Sequence, residues 1–157
     1  MNAALFLLAF CVGIFISVQA AVNSQLAGAL HANSVVAALI SFTVGTVVLG
    51  IAAFARGGVG DALGALAGQP LWKLSGGVLG AAFVFGTVFL APRIGLLNLV
   101  VLVIAGQLIM SMAIDNFGLV NMAARKASTV RMAGALVVIA GVALTLFGDR
   151  IVATLER

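Results

Sequence analysis

Apolar residues fall into five long runs, at about residues 3–25, 35–55, 74–91, 94–115 and 129–147, parted by short polar or glycine-rich links. Each run is within the roughly 17–25 residues that a helix needs to cross about 30 Å of hydrocarbon. The pattern predicts an all-α polytopic membrane protein, a single domain of five transmembrane helices over residues 1–157. The opening half of the first run could also serve as a signal peptide, with Val18-Gln19-Ala20 as a cleavage site. No Lys or Arg precedes it, so it is read as a span. In the first link, residues 28–34, Asn33 or Ser34 can cap the second helix, and Ser128 or Thr129 can cap the fifth. Residues 57–70 (GGVGDALGALAGQP) read as a loop with one short interfacial turn around Asp61 to Ala67. Trp72 and Lys73 follow as an interface anchor, the indole at the headgroups and the ammonium in water. Pro92 and Arg93 are expected to make the turn into the fourth helix, tight enough to set the third and fourth side by side, antiparallel. Gly148-Asp149-Arg150 is expected to end the membrane part.

Polar positions inside the runs carry the next layer. From Arg93 to Leu119 the chain is almost wholly apolar, yet Gln107, Ser111 and Asp115 recur at i, i+4 and i+8. On a helix they share one slowly drifting face, which a hydrocarbon-facing helix has no use for. In the first run Gln19 and Asn23 form an amide pair, nearly opposite a ladder of small residues, Ala9, Gly13, Ser17 and Ala21. The ladder permits close helix contact, while the amides either glue neighbouring helices or face a cavity. Ala37, Ser41 and Gly45, the Gly76–Gly80 pair, and Gly134 with Gly141 read as further packing faces.

Composition excludes several classes. Hydrophobic residues make up 64% of the 157 and charged residues 8%, far below the roughly 25% of a soluble domain. The net charge of +4 comes from basic residues scattered singly between apolar runs, a topology signal and not a nucleic-acid patch. With five spans, Arg56, Lys73, Arg125, Lys126 and Arg131 lie on the N-terminal side, and Arg93, Arg150 and Arg157 on the other. The bias favours a cytoplasmic N-terminus, weakly enough to allow insertion both ways. Cys11 is the one cysteine, so no internal disulfide forms, and His31 reads as a solvated loop residue. Asp61, Asp149 and Glu156 fall in links or the tail, which leaves Asp115 near membrane depth. It is either a proton carrier or counter-ion, or an interfacial residue ending its helix. Arg93 lies about 33 Å from Asp115 along one helix, out of reach within a chain. In an antiparallel dimer it would approach the level of the partner copy's Asp115.

An enzyme is hard to assemble from these parts. Aspartyl proteolysis in the membrane needs two facing carboxylates, and a Ser or Cys nucleophile needs a base that a loop histidine does not supply. No zinc or phosphate-binding motif is present, and no cofactor is expected.

The assembled motifs resemble the drug/metabolite transporter superfamily, and more narrowly its short five-helix branch, the YdcZ-like bacterial inner-membrane proteins. The resemblance rests on Gln19, Asn23, Gln25 and Leu26, then Ser41-Phe42 with Gly45-Thr46. Trp72, Gly76-Gly77 and Gly80 continue it, followed by Gly106-Gln107, Ser111, Ile114-Asp115 and Phe117-Gly118-Leu119. Arg131, Gly134 and Gly141 complete it, so that it covers nearly the whole chain. It implies a half-sized transporter of small solutes in the inner membrane. Larger relatives join two inverted repeats around the substrate. An odd number of helices rebuilds that pairing only from two chains in opposite orientations, an antiparallel homodimer or an inverted paralogue. In such a transporter Gln19 and Asn23 of the first helix and Gln107 and Ser111 of the fourth are expected to line the cavity, joined by Asp115 if it is not an interfacial residue. Four-helix relatives carry a membrane glutamate in their first helix. Amides stand here instead, which fits a neutral or zwitterionic solute. Two other classes remain open: a non-transporting subunit that stabilises a partner, and a lipid-handling protein or flippase.

Overall fold

A computed structural model describes residues 3–156. Among them are α1 (Ala3–Ala29), α2 (Ser34–Arg56), α3 (Val59–Leu66), α4 (Ser75–Ile94), α5 (Leu96–Phe117) and α6 (Thr129–Leu155). A 3-10 turn, Leu71–Leu74, leads into α4. α1, α2, α4 with its leading turn, α5 and α6 are each long and apolar enough to cross a membrane. The chain divides into two compact units, one ending at Ile94 and one beginning at Gly95.

In the first unit α1, α2 and α4 each pack against the other two. Their shared core is small: Ala27, Ala37, Ala38, Val84 and Val88, with Leu26, Leu30 and Phe83 against it. Alanine and valine at these positions let three backbones approach closely, the contact that holds helices together where no water drives them. The core lies where α1 ends, α2 begins and α4 passes its midpoint. At the other end the unit is loose. Phe10, Leu49, Phe54 and Val78 are all more than two-thirds exposed, a surface suited to lipid and not to water.

The buried face of α1 is Ala20, Asn23 and Ala27. The expected ladder is covered only in part: Ser17 and Ala21 are half-buried, but Ala9 is exposed and a Cβ on Gly13 would meet nothing within 4 Å. Small size permits contact without dictating it. The ladder of α2 does turn inward, with Ala37 fully buried and Ser41 and Gly45 half-buried. Of the Gly76–Gly80 pair only Gly80 meets a neighbour, the Phe42 ring, whose Cζ would lie 3.5 Å from an added Cβ.

Helix ends follow local chemistry. Asn33 caps α2, its Oδ1 accepting the Val36 N–H at 3.0 Å. Before it, His31 and Ala32 turn the chain at positive φ. Gly57 (φ 80, ψ 176) ends α2 in a region open essentially to glycine alone. The link expected to be mostly loop then forms α3. Its Ala and Leu favour a helix, and Asp61 in its first turn meets the positive end of the helix dipole. Pro92 and Arg93 do not turn the chain: α4 continues through them, and Gly95, at φ 82 and ψ 149, stops it. Pro92 removes only the one bond its N–H would have given to the Val88 carbonyl, and the helix runs two residues past it.

In the second unit α5 packs against α6. Gly118 ends α5 in the left-handed conformation, where a Cβ would come 3.2 Å from the Met122 carbonyl oxygen. Val120 and Asn121 follow at positive φ, and an extended link then runs back over the helix end. The Arg125 N–H donates to the Asp115 carbonyl at 2.6 Å. Ser128 caps α6, accepting the Arg131 N–H at 3.3 Å. The helix continues through Gly148-Asp149-Arg150 to Leu155, with the Thr154 hydroxyl bonded to the Arg150 carbonyl at 2.8 Å. Around Gly134 and Gly141, no atom of the described residues lies within 4 Å of an added Cβ, so neither is a close-packing point of α6 against α5.

Candidate functional site

Asn23 is buried, 5% exposed, on the packed face of α1. Its Nδ2 donates to the Ser41 Oγ of α2 at 3.1 Å. Ala20 and Ala27 on one side and Ala37 and Ala38 on the other bring the helices close enough for two short polar side chains to meet. Other hydroxyls in the spans bond to carbonyls of their own helices: Ser17 to Gly13, Thr43 to Leu39, Thr46 to Phe42 and Thr145 to Gly141. Thr87, buried in α4, does the same to Val84 at 2.9 Å. Gln19 lies one turn before Asn23 and is exposed. The amide pair is therefore divided, one amide held between helices and the other on the surface of its unit.

On α5 Gln107 and Ser111 are exposed and Asp115 is half-buried. The stripe climbs about 12 Å of helix. The Ser111 hydroxyl donates to the Leu108 carbonyl at 3.0 Å, keeping its lone pairs for a second partner. Asp115 stands two residues inside the end of α5, under the returning link. The structure thus places Gln19 and Asn23 in the first unit, and Gln107, Ser111 and Asp115 together on one helix of the second.

Arg93 is engaged by its own helix. Its guanidinium lies over the Phe89 ring, 3.5 Å from the centroid, and Nη1 donates to the Phe89 carbonyl. Pairing with an aspartate on another chain would require its release. His31 is exposed in the α1–α2 turn. No cluster of His, Cys, Asp or Glu among the described residues could hold a metal ion. The first unit also bears a groove of about 280 Å³ between α2 and α4, lined by Val35, Ala38, Leu39, Phe42, Ala81 and Phe85. Every lining residue is apolar, so nothing in it would hold a polar solute.

Sequence reasoning missed Ser41 as the partner of Asn23. The small-residue spacing marked it as a packing position, and nothing local showed that it would meet an amide eighteen residues back. Thr87 gave no signal inside its apolar run.

A family model described as "Putative inner membrane exporter, YdcZ" matches residues 4–144. No curated protein and no solved structure matches the chain.

Proposed function

The chain belongs to the YdcZ family of inner-membrane exporters, and on that basis we propose that it exports small solutes by alternating access, as an antiparallel homodimer. Family membership and five apolar spans make it a multi-pass protein of the inner membrane and assign it to transport. The observation that carries the finer reading is the α5 stripe. An exposed amide, an exposed hydroxyl and a half-buried carboxylate in a row are costly against hydrocarbon. A watery path or a second protein surface covers them. Gln19, Asn23, Gln107, Ser111 and Asp115 are the groups assigned to the solute. Amides and a hydroxyl both donate and accept, and the carboxylate answers a positive group, so a neutral or zwitterionic molecule suits the set. Two chains in opposite orientations rebuild the inverted pairing of larger relatives, and one rocks against the other.

The test is efflux from cells, or from proteoliposomes, loaded with a panel of neutral, zwitterionic and cationic solutes. Gln107→Ala and Asn23→Ala are expected to abolish export while folded protein remains in the membrane. Wild-type rates in both variants would remove these residues from the path. The apolar α2–α4 groove favours a second reading, with a lipid as the carried molecule. Binding of a lipid in place of any water-soluble solute would select it.

A further inference from the structure

The segment between α2 and α4 has a character that the rest of the chain lacks. α3 makes no extensive contact with the long helices of its own unit. At 100° per residue, Val59, Ala62, Leu63 and Leu66 fall within one face, and Gly60, Asp61 and Gly64 fall away from it. Val59 at its start is half-buried, but Ala62, Leu63 and Leu66 are exposed, Leu63 to 62%. The turn that follows adds Leu71, 81% exposed, and Trp72, 46% exposed. Position in the chain fixes where this surface sits. Arg56 is the last residue of α2 and Val59 the first of α3, while Leu71 opens the next span. Both neighbours cross the bilayer, so α3 is held at one membrane face, two residues beyond the end of α2. A short helix with one apolar face lies flat at such a boundary. Basic side chains stand at either end of the segment, Arg56 and Lys73. The segment's one acid, Asp61, lies on the face away from the leucines, near the helix N-terminus.

We propose that residues 57–74 form an interfacial element whose Leu63, Leu66, Leu71 and Trp72 enter the acyl boundary of the bilayer, while Arg56 and Lys73 recruit anionic phospholipid headgroups. Apolar area seats the element, and the two cations select lipid charge. Lys73 also donates to the Gln69 Oε1 at 2.5 Å, which holds its stem beside the turn and leaves ammonium protons for phosphate oxygens. The inference needs only that α2 and α4 span the membrane, and stands apart from what the protein transports.

Trp72 is the single tryptophan, so its emission reports this segment alone. The full-length protein is reconstituted in mixed phosphatidylcholine–phosphatidylglycerol vesicles, with one lipid or the other brominated. Trp72 should resist aqueous iodide and be quenched more by bromines near the headgroup than by bromines deep in the chain. Brominated phosphatidylglycerol should quench more than brominated phosphatidylcholine at equal mole fraction, with a lipid enrichment of up to about fivefold for each basic side chain. Arg56→Gln with Lys73→Gln should bring the two lipids level and leave the depth unchanged. Nitroxides on Leu63→Cys and Gly64→Cys, in a Cys11→Ser background, should favour oxygen at the first site and aqueous nickel at the second. Free access of iodide to Trp72 would place the segment in water. Shielding from both iodide and bromines would place it against a second protein surface. Equal quenching of the wild type by the two lipids would show that headgroup charge is not read. Each of these three results overturns the proposal.

Discussion

Asn23 and Ser41 meet where alanines bring α1 and α2 together, and their hydrogen bond lies in surroundings that offer little competition from water. Such bonds between membrane helices contribute about 0.6 kcal/mol on average and up to about 1.7. Asn23→Ala and Ser41→Ala should each destabilise the folded protein by that order, and the double variant by little more than either. Reversible unfolding in mixed micelles measures the cycle; full additivity would show that the bond contributes nothing. The pair also separates two roles for the amide. If Asn23 touches solute, its loss should abolish export while Ser41→Ala, which costs the same bond, retains it. Equal export in the two variants would make the amide a structural link only. The residue scale was the least legible in the sequence. Asn23 and Gln19 look alike as polar positions in an apolar run, one helical turn apart. Only the docking of α2 and α4 against α1 decides that the first is buried and the second is not.

At the scale of elements, run length and hydropathy gave the five spans, and capping chemistry placed Asn33 and Ser128 at helix starts. Helix stops were harder to read. Pro92-Arg93 and Gly148-Asp149-Arg150 have the composition of helix ends, yet both lie within helices. A proline withholds one backbone bond without obliging the helix to stop at it, and α6 has no backbone need to stop where its apolar run does. The stops that hold are Gly57 and Gly95, each in a conformation closed to other residues. Glycines inside helices misled in the other direction. Gly76 and Gly80 are equivalent in sequence, yet only Gly80 faces a ring. Gly80→Leu should therefore force Phe42 aside and destabilise the α2–α4 contact by roughly 1–3 kcal/mol. Gly76→Leu, entering open space, should leave stability unchanged or raise it by the better helix propensity of leucine. Thermal unfolding in detergent distinguishes the two; equal loss in both would mean that Gly76 also sits at a contact.

For the whole molecule, the proposed antiparallel exporter depends on how two copies of the chain meet the bilayer. The first unit is loose at the end where α2 leaves and α4 enters, and the stripe on α5 is open on its own unit. A solute path made by two inverted chains would give that stripe a polar counterpart. It demands that the chain insert in both orientations, which a five-to-three division of basic residues permits. Gly64 on the polar face of α3 is a suitable place to look, because an added side chain there meets nothing within 4 Å. With Cys11→Ser and Gly64→Cys, intact cells are labelled with a membrane-impermeant thiol reagent before and after permeabilisation. The antiparallel exporter predicts that about half of the protein labels from outside and the rest only after permeabilisation. Complete protection before permeabilisation, or complete labelling without it, would mean one orientation and would contradict the homodimer.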